Sequence, residues 1–152
     1  MAVIDSLDKK TTTTGVRNAP CARWDPALET GIELLDRQHQ DLFNQIRILL
    51  HHSKGDRVHE TLKFMIAYTA KHFETEQCLH QETNYPQAAE HLDAHKHFAY
   101  VLGKLKRNYS DSGHDHAILM QLVRFFLDWL KEHIRNQDQP FVESFRQLGP
   151  LP

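Results

Sequence analysis

The chain has 152 residues, 25% of them charged and 40% hydrophobic, enough for one real core and too few for two domains of ordinary size. Eighteen Lys and Arg against twenty Asp and Glu leave a formal charge of -2 with no dense basic block, so neither nucleic acid nor an anionic membrane is favoured as a partner. No stretch approaches the roughly 20 apolar residues that span a bilayer, and the polar run Met1 to Asn18 lacks the apolar centre of a secretory leader, so a cytoplasmic protein is expected.

The chain opens with an expected flexible arm, residues 1–22, whose Thr/Gly/Asn/Pro-rich stretch from Thr11 to Pro20 resists regular structure. Residues 23–149 are expected to form one domain, with Trp24 anchoring its start. From Glu33 the apolar residues take up helical period, with Leu35, His39, Leu42, Ile46 and Leu49 on one stripe, until His51-His52-Ser53-Lys54-Gly55 supplies a stop. A second helix is predicted from Val58 to Glu82, carrying Leu62, Met65, Thr69, His72, Glu76 and Leu79 before Asn84-Tyr85-Pro86 ends it. The third stripe reads Ala88, His91, His95, Phe98, Leu102, Leu105 and Tyr109, broken at Ser110-Asp111-Ser112-Gly113. The fourth runs from about His114 to Asn136 through Leu119, Leu122, Phe126, Trp129, Leu130 and His133, with Pro140 expected to force a break and Phe141 to Leu148 to form a short helical tail. Connections this short favour antiparallel neighbours, so the fold class is all-α, an up-down-up-down four-helix bundle about 30 Å long. Cys21 and Cys78 form no Cys-x-x-Cys pair and are expected to be reduced thiols.

The stripes hold seven residues that an apolar interior does not tolerate alone: His39, then His72 and Glu76, then His91 and His95, then His133 and Asp138. Residues four apart on a helix differ by only about 40° around its axis, so His72 points with Glu76 and His91 with His95. His133 and Asp138 are five apart, about 140° on an unbroken helix, so their convergence requires a distortion. Pro140 is expected to supply it by biasing Gln139 away from helical geometry. Five imidazoles and two carboxylates exceed one tetrahedral zinc site, and imidazole-rich sets disfavour calcium and magnesium. Two ions sharing two bridging carboxylates would use all seven and leave one position vacant, and a dinuclear iron centre fits best. Ferritin-like carboxylate proteins use Glu-rich Glu-x-x-His motifs instead, which this chain lacks. The histidines outside the set, His51, His52, His59, His97, His114 and His116, lie at helix ends or off the ligand faces and read as solvated.

These residues resemble the bacterial hemerythrins. The resemblance rests on Thr30-Gly31-Ile32 and Leu35-Asp36-Arg37-Gln38-His39, on His72-Phe73-Glu74-Thr75-Glu76, on Tyr85-Pro86 followed by His91, His95 and Phe98, and on Trp129-Leu130-Lys131-Glu132-His133-Ile134 with Asp138 and Phe141. It implies that His91, His95 and His133 hold one iron and His39 and His72 the other, with Glu76 and Asp138 bridging. It further implies two irons cycling between Fe2+ and Fe3+ under an oxo or hydroxo bridge, O2 bound at the open second iron, and Leu130 and Ile134 walling an apolar oxygen pocket. Similar sequences carry Leu-Met where this chain has Leu79-His80. His80 lies one turn beyond Glu76, which would let it approach the open site and hydrogen-bond a bound oxygen species, deliver protons or coordinate iron. The expected function is reversible O2 binding for storage, delivery or sensing, more a binding protein than an enzyme. An iron enzyme reducing peroxide or nitric oxide, or an iron-handling protein, is the alternative. An O2-consuming protein is a possible partner, and a monomer is favoured.

Overall fold

The computed structural model describes residues 22–51 and 56–147. The expectations for the arm up to Cys21, for the stop at His52 to Gly55 and for the domain's end at Leu148 and Gly149 lie outside the described residues. Four long helices follow one another: α1 Glu33–His51, α2 Asp56–Thr83, α3 Ala88–Asp111 and α4 His116–His133. A π turn, Ile134–Asp138, leads directly into a short α5, Gln139–Gln147, and a 3-10 turn, Pro26–Leu28, precedes α1. The α1 helix packs against α2 and α4, and α3 packs against the same two, which closes the four into a ring.

Local chemistry fixes the ends. At the end of α2, Asn84 takes φ 50°, a left-handed conformation its short amide side chain tolerates. This lets the N–H of Tyr85 donate to His80 O at 3.0 Å and that of Asn84 to Gln81 O at 3.3 Å, closing the helix. Gly113, at φ 72°, does the same for α3, with the His114 N–H donating to Tyr109 O at 3.1 Å. Asp115 then caps α4, its Oδ1 accepting from the N–H groups of Ala117 and Ile118 at 2.7 and 3.2 Å. Ahead of α1, the Asp36 carboxylate accepts from Thr30 N, Thr30 Oγ1 and Gly31 N, which folds residues 30–31 back onto the helix start.

The predicted stripes are the buried faces. Leu42, Ile46, Leu62, Met65, Phe98, Leu102, Leu119, Leu122 and Phe126 join one large apolar cluster, against which Trp24 packs edge-on to Phe43 with ring centres 5.4 Å apart. A second, small cluster of Leu35, Phe141 and Val142, bordered by Ile32, Leu79 and Tyr85, closes the other end of the bundle. Between the two apolar clusters lies a layer of buried polar side chains. Among the described residues no helix is long and apolar enough to cross a membrane.

Candidate metal centre

Each long helix delivers part of this layer: His39 from α1, His72 and Glu76 from α2, His91 and His95 from α3, His133 from α4, and Asp138 from the π turn. All seven expected ligands are brought together, and none is more than 4% exposed. Their arrangement is hard to reconcile with hydrogen bonding alone. Imidazole meets imidazole nitrogen to nitrogen, with Nε2 atoms 2.8 Å apart for His91 and His133, 2.8 Å for His95 and His133, and 3.1 Å for His39 and His72. Each such pair has at most one proton to share. Both oxygens of Glu76 and both of Asp138 are buried with no hydrogen-bond partner, although such groups are strongly penalised when left alone. Two donors at right angles around one ion, each about 2.1 Å from it, are about 3 Å apart, which is the spacing seen here. The residues therefore fit metal ions as the missing partners.

The donors divide into two overlapping groups, Glu76 with His91, His95 and His133, and Glu76 with His39, His72 and Asp138. The split runs through each carboxylate. Glu76 Oε1 faces His72 Nε2 at 3.1 Å and His39 Nε2 at 3.9 Å, while Oε2 faces His95 at 3.1 Å and His91 at 3.5 Å. Asp138 Oδ2 faces His39 at 3.1 Å, while Oδ1 faces His91 and His133 at 3.1 and 3.2 Å. One group thus collects three imidazoles and two carboxylate oxygens, the other two imidazoles and two oxygens.

Asp138 reaches the layer by a route the sequence reading did not foresee. Pro140 does not break the helix, because Gln139 keeps helical angles, φ -61° and ψ -46°, and Pro140 sits in the first turn of α5. The distortion is the π turn itself, in which the N–H of Gln139 donates to Ile134 O five residues back. A π turn is a helical turn holding one extra residue, so a pair five apart comes to share a face as a pair four apart does on an α-helix. Pro140 is tolerated there because the widened turn has already displaced the carbonyls its ring would meet.

Neighbouring side chains fix the imidazoles. His72 Nδ1–H donates to Gln38 Oε1 at 2.8 Å, and Gln38 Nε2 donates to Thr75 Oγ1 at 3.3 Å. This leaves His72 Nε2 with a free lone pair aimed at the centre. Phe73 lies flat on His95, ring centres 3.6 Å apart at 6°, and Trp129 on His133, 4.2 Å apart at 16°. The reading from sequence missed Gln38, which sits beside His39 in chain but has no apolar or metal-ligand character to mark it.

Electrostatics of the metal-free cluster follow from burial set against close opposite charge. Burial opposes ionisation of Glu76, yet the charge of His72 close beside it holds its carboxyl well below the usual range. Asp138 is also held down: burial and the Glu76 charge push it up, and His133 and His39 more than offset them. Burial works against a charged His91, but Asp138 and Glu76 lift it to about 9, and Glu76 lifts His72 in the same sense. Burial wins at His95, which falls to about 4.

His80 is 3% exposed, and its ring packs 4.5 Å from that of His91, 4.4 Å from Phe141 and 5.1 Å from Tyr85, centre to centre. Burial and the nearby His91 charge lower it to about 4. Leu130 and Ile134 are 2% and 0% exposed, at the end of α4 and the start of the π turn. His51, His59, His97, His114 and His116 are exposed; His52 lies outside the described residues.

Comparison with known proteins agrees with this geometry. The family model Hemerythrin HHE cation binding domain matches residues 30–143, a span holding all seven residues of the layer. The chain is 28% identical over 127 residues to Bacteriohemerythrin from Pseudomonas paraeruginosa, covering 81% of this chain and 80% of the relative. It is 32% identical over 115 residues to Hemerythrin subunit 2 from Golfingia vulgaris, covering 76% and 85%, and 30% identical to Hemerythrin from Phascolopsis gouldii with 76% and 85% covered. A chain whose four long helices all send donors into one buried layer, matched over most of its length to that family and its members, belongs to the hemerythrin family.

Proposed function

We propose that the chain is a non-haem di-iron protein that reversibly binds O2. His91, His95 and His133, with Glu76 Oε2 and Asp138 Oδ1, would hold one iron; His39 and His72, with Glu76 Oε1 and Asp138 Oδ2, would hold the other. The observation that carries the reading is this unequal division, five donors against four, across two carboxylates that each face both groups. The ion with fewer donors keeps more of its coordination shell for an external ligand. As a ferrous pair, the irons would supply the two electrons that O2 takes up on binding.

The protein's own groups do the rest. Glu76 and Asp138 keep two cations side by side by placing two negative charges between them. Gln38 holds the His72 ring in register. Leu130 and Ile134, buried beside His133, are read as walls of an apolar pocket that keeps out water and free protons, conditions that would slow loss of the ligand in reduced form with oxidised irons left behind. Storage, delivery and sensing all suit such a site.

The test is to load the protein with ferrous iron without oxygen, admit O2 and record the visible spectrum. A charge-transfer band that disappears on deoxygenation, at two irons per chain, is the expected result. Rapid irreversible oxidation with consumption of added peroxide would replace this reading with that of a di-iron peroxide reductase, and protein that folds equally well but takes up no iron would exclude both.

A further inference from the structure

His80 is a polar ring in apolar surroundings. It lies on the last turn of α2, four residues beyond Glu76, wedged between Phe141 from α5 and Tyr85 from the connection to α3. Its Nε2 is buried with no hydrogen-bond partner, a costly condition when nothing answers it. The ring packed against it is His91, whose own Nδ1 is also buried without a partner. His91 Nε2 points into the centre beside Asp138 and Glu76, so with an ion held there the neutral ring's proton belongs on Nδ1, directed away from the centre. A metal-bound imidazole almost always donates that second N–H to an acceptor, which fixes the ring and raises its basicity. Gln38 plays this part for His72, with the acceptor oxygen 2.8 Å away.

We propose that His80 is a positioning residue for the metal centre, accepting the Nδ1–H of His91 on its Nε2 across one water or after a small rotation of the ring. It thereby acts on the three-histidine ion through His91 rather than on an exogenous ligand at the other ion. A neutral imidazole offers one acceptor nitrogen, so the pair satisfies both orphaned atoms at once. The inference rests on the di-iron reading and assigns this chain one outer acceptor per ion, Gln38 behind His72 and His80 behind His91.

The experiment compares the full-length iron-loaded protein with His80→Met, His80→Phe and His80→Gln. For each, the rate of iron loss to a competing chelator and the midpoint potential of the iron pair are measured, with the melting temperature of the iron-free form as a folding control. The two apolar variants should fold and lose iron about 10- to 100-fold faster, the range typical for loss of a partner behind a metal ligand. Their potential should rise, because an imidazole without an acceptor is a weaker donor to the ferric state. Gln, which carries an acceptor oxygen, should stay within about threefold of the unaltered protein, on the logic of a retained hydrogen bond. Equal behaviour of the Gln and apolar variants would overturn the proposal. So would a change confined to decay of the oxygenated form, or failure of both apolar variants to fold, which would mark a purely structural ring. An unaltered protein that binds no iron would instead refute the di-iron reading, so the two failures are distinct.

Discussion

Replacing Gln38 with Leu removes the acceptor that holds His72 while filling nearly the same volume. Both side chains are buried, and the bond removed spans 2.8 Å. An unanswered buried N–H costs about 1–3 kcal/mol. At about 2–4 °C per kcal/mol for a chain of this size, a loss of about 2 kcal/mol lowers the melting temperature of the iron-free protein by about 4–8 °C. With iron bound the effect moves to affinity, where loss of such a partner weakens metal binding about 10- to 100-fold, equivalent to about 1.4–2.8 kcal/mol. Under the proposed division of donors the deficit falls on the ion that His72 would share with His39, so a chelator titration followed by metal analysis should pass through a form holding a single iron. Gln38→Glu keeps an acceptor and should hold both ions as well as the unaltered protein. If Gln38→Leu lowers the melting temperature yet releases iron at the unaltered rate, Gln38 only fills space and the argument fails.

The iron-free protein should be most stable near pH 6.5. The raised His91 stabilises it fully below that pH, and this contribution is lost as pH climbs towards about 9; the lowered His95 and His80 contribute a loss as pH falls from 6.5 towards about 4. A melting temperature that rises steadily from pH 6.5 to 9 in chelator-treated protein would contradict this balance. Iron uptake runs the opposite way on the alkaline side, because binding must displace the protons on His91 and His72, so calorimetry in buffers of different ionisation enthalpy should register proton release that shrinks by pH 9. Glu76→Gln takes away one of the two oxygens that serve both donor groups, and metal analysis of the folded variant should find at most one iron per chain. Gly31→Ala should destabilise the protein by about 1–2 kcal/mol, since φ 85° is strained for any side chain and the new Cβ would displace the Arg146 guanidinium from Thr30 O; an unchanged melting temperature would show that the 30–31 fold-back is dispensable.

Most of the architecture was legible because burial imposes a period. Leu35, His39, Leu42, Ile46 and Leu49 form a stripe in sequence and a buried face in space, and the His-x-x-x-Glu and His-x-x-x-His pairs translate directly into shared direction on α2 and α3. The mode of approach of Asp138 was not legible. A π turn has no compositional marker, and Pro140 gave a conspicuous but mistaken cause for a distortion that the Ile134–Asp138 backbone supplies alone. Gln38 escaped notice for a related reason. Its role depends on an amide reaching across from α1 to a ring on α2, a distance in space that no spacing along one helix encodes. His80 stood out only as a departure from similar sequences, and the neighbour that gives its ring a meaning, His91, comes from a different helix.

The small apolar cluster of Leu35, Phe141 and Val142 is nearly all the greasy surface that α5 commits to the bundle, with Gln139 and Arg146 adding side-chain ties to the backbone of Ala27, Glu29 and Thr30. Segments secured by so few contacts detach far more often than the whole molecule melts. Because Asp138 sits at the root of this segment, its fraying would withdraw a carboxylate that faces both donor groups and open a door for the cations while the four rods stay assembled. Leakage of metal should therefore respond weakly to denaturant, and stitching α5 down more tightly should lengthen retention without altering the chemistry inside.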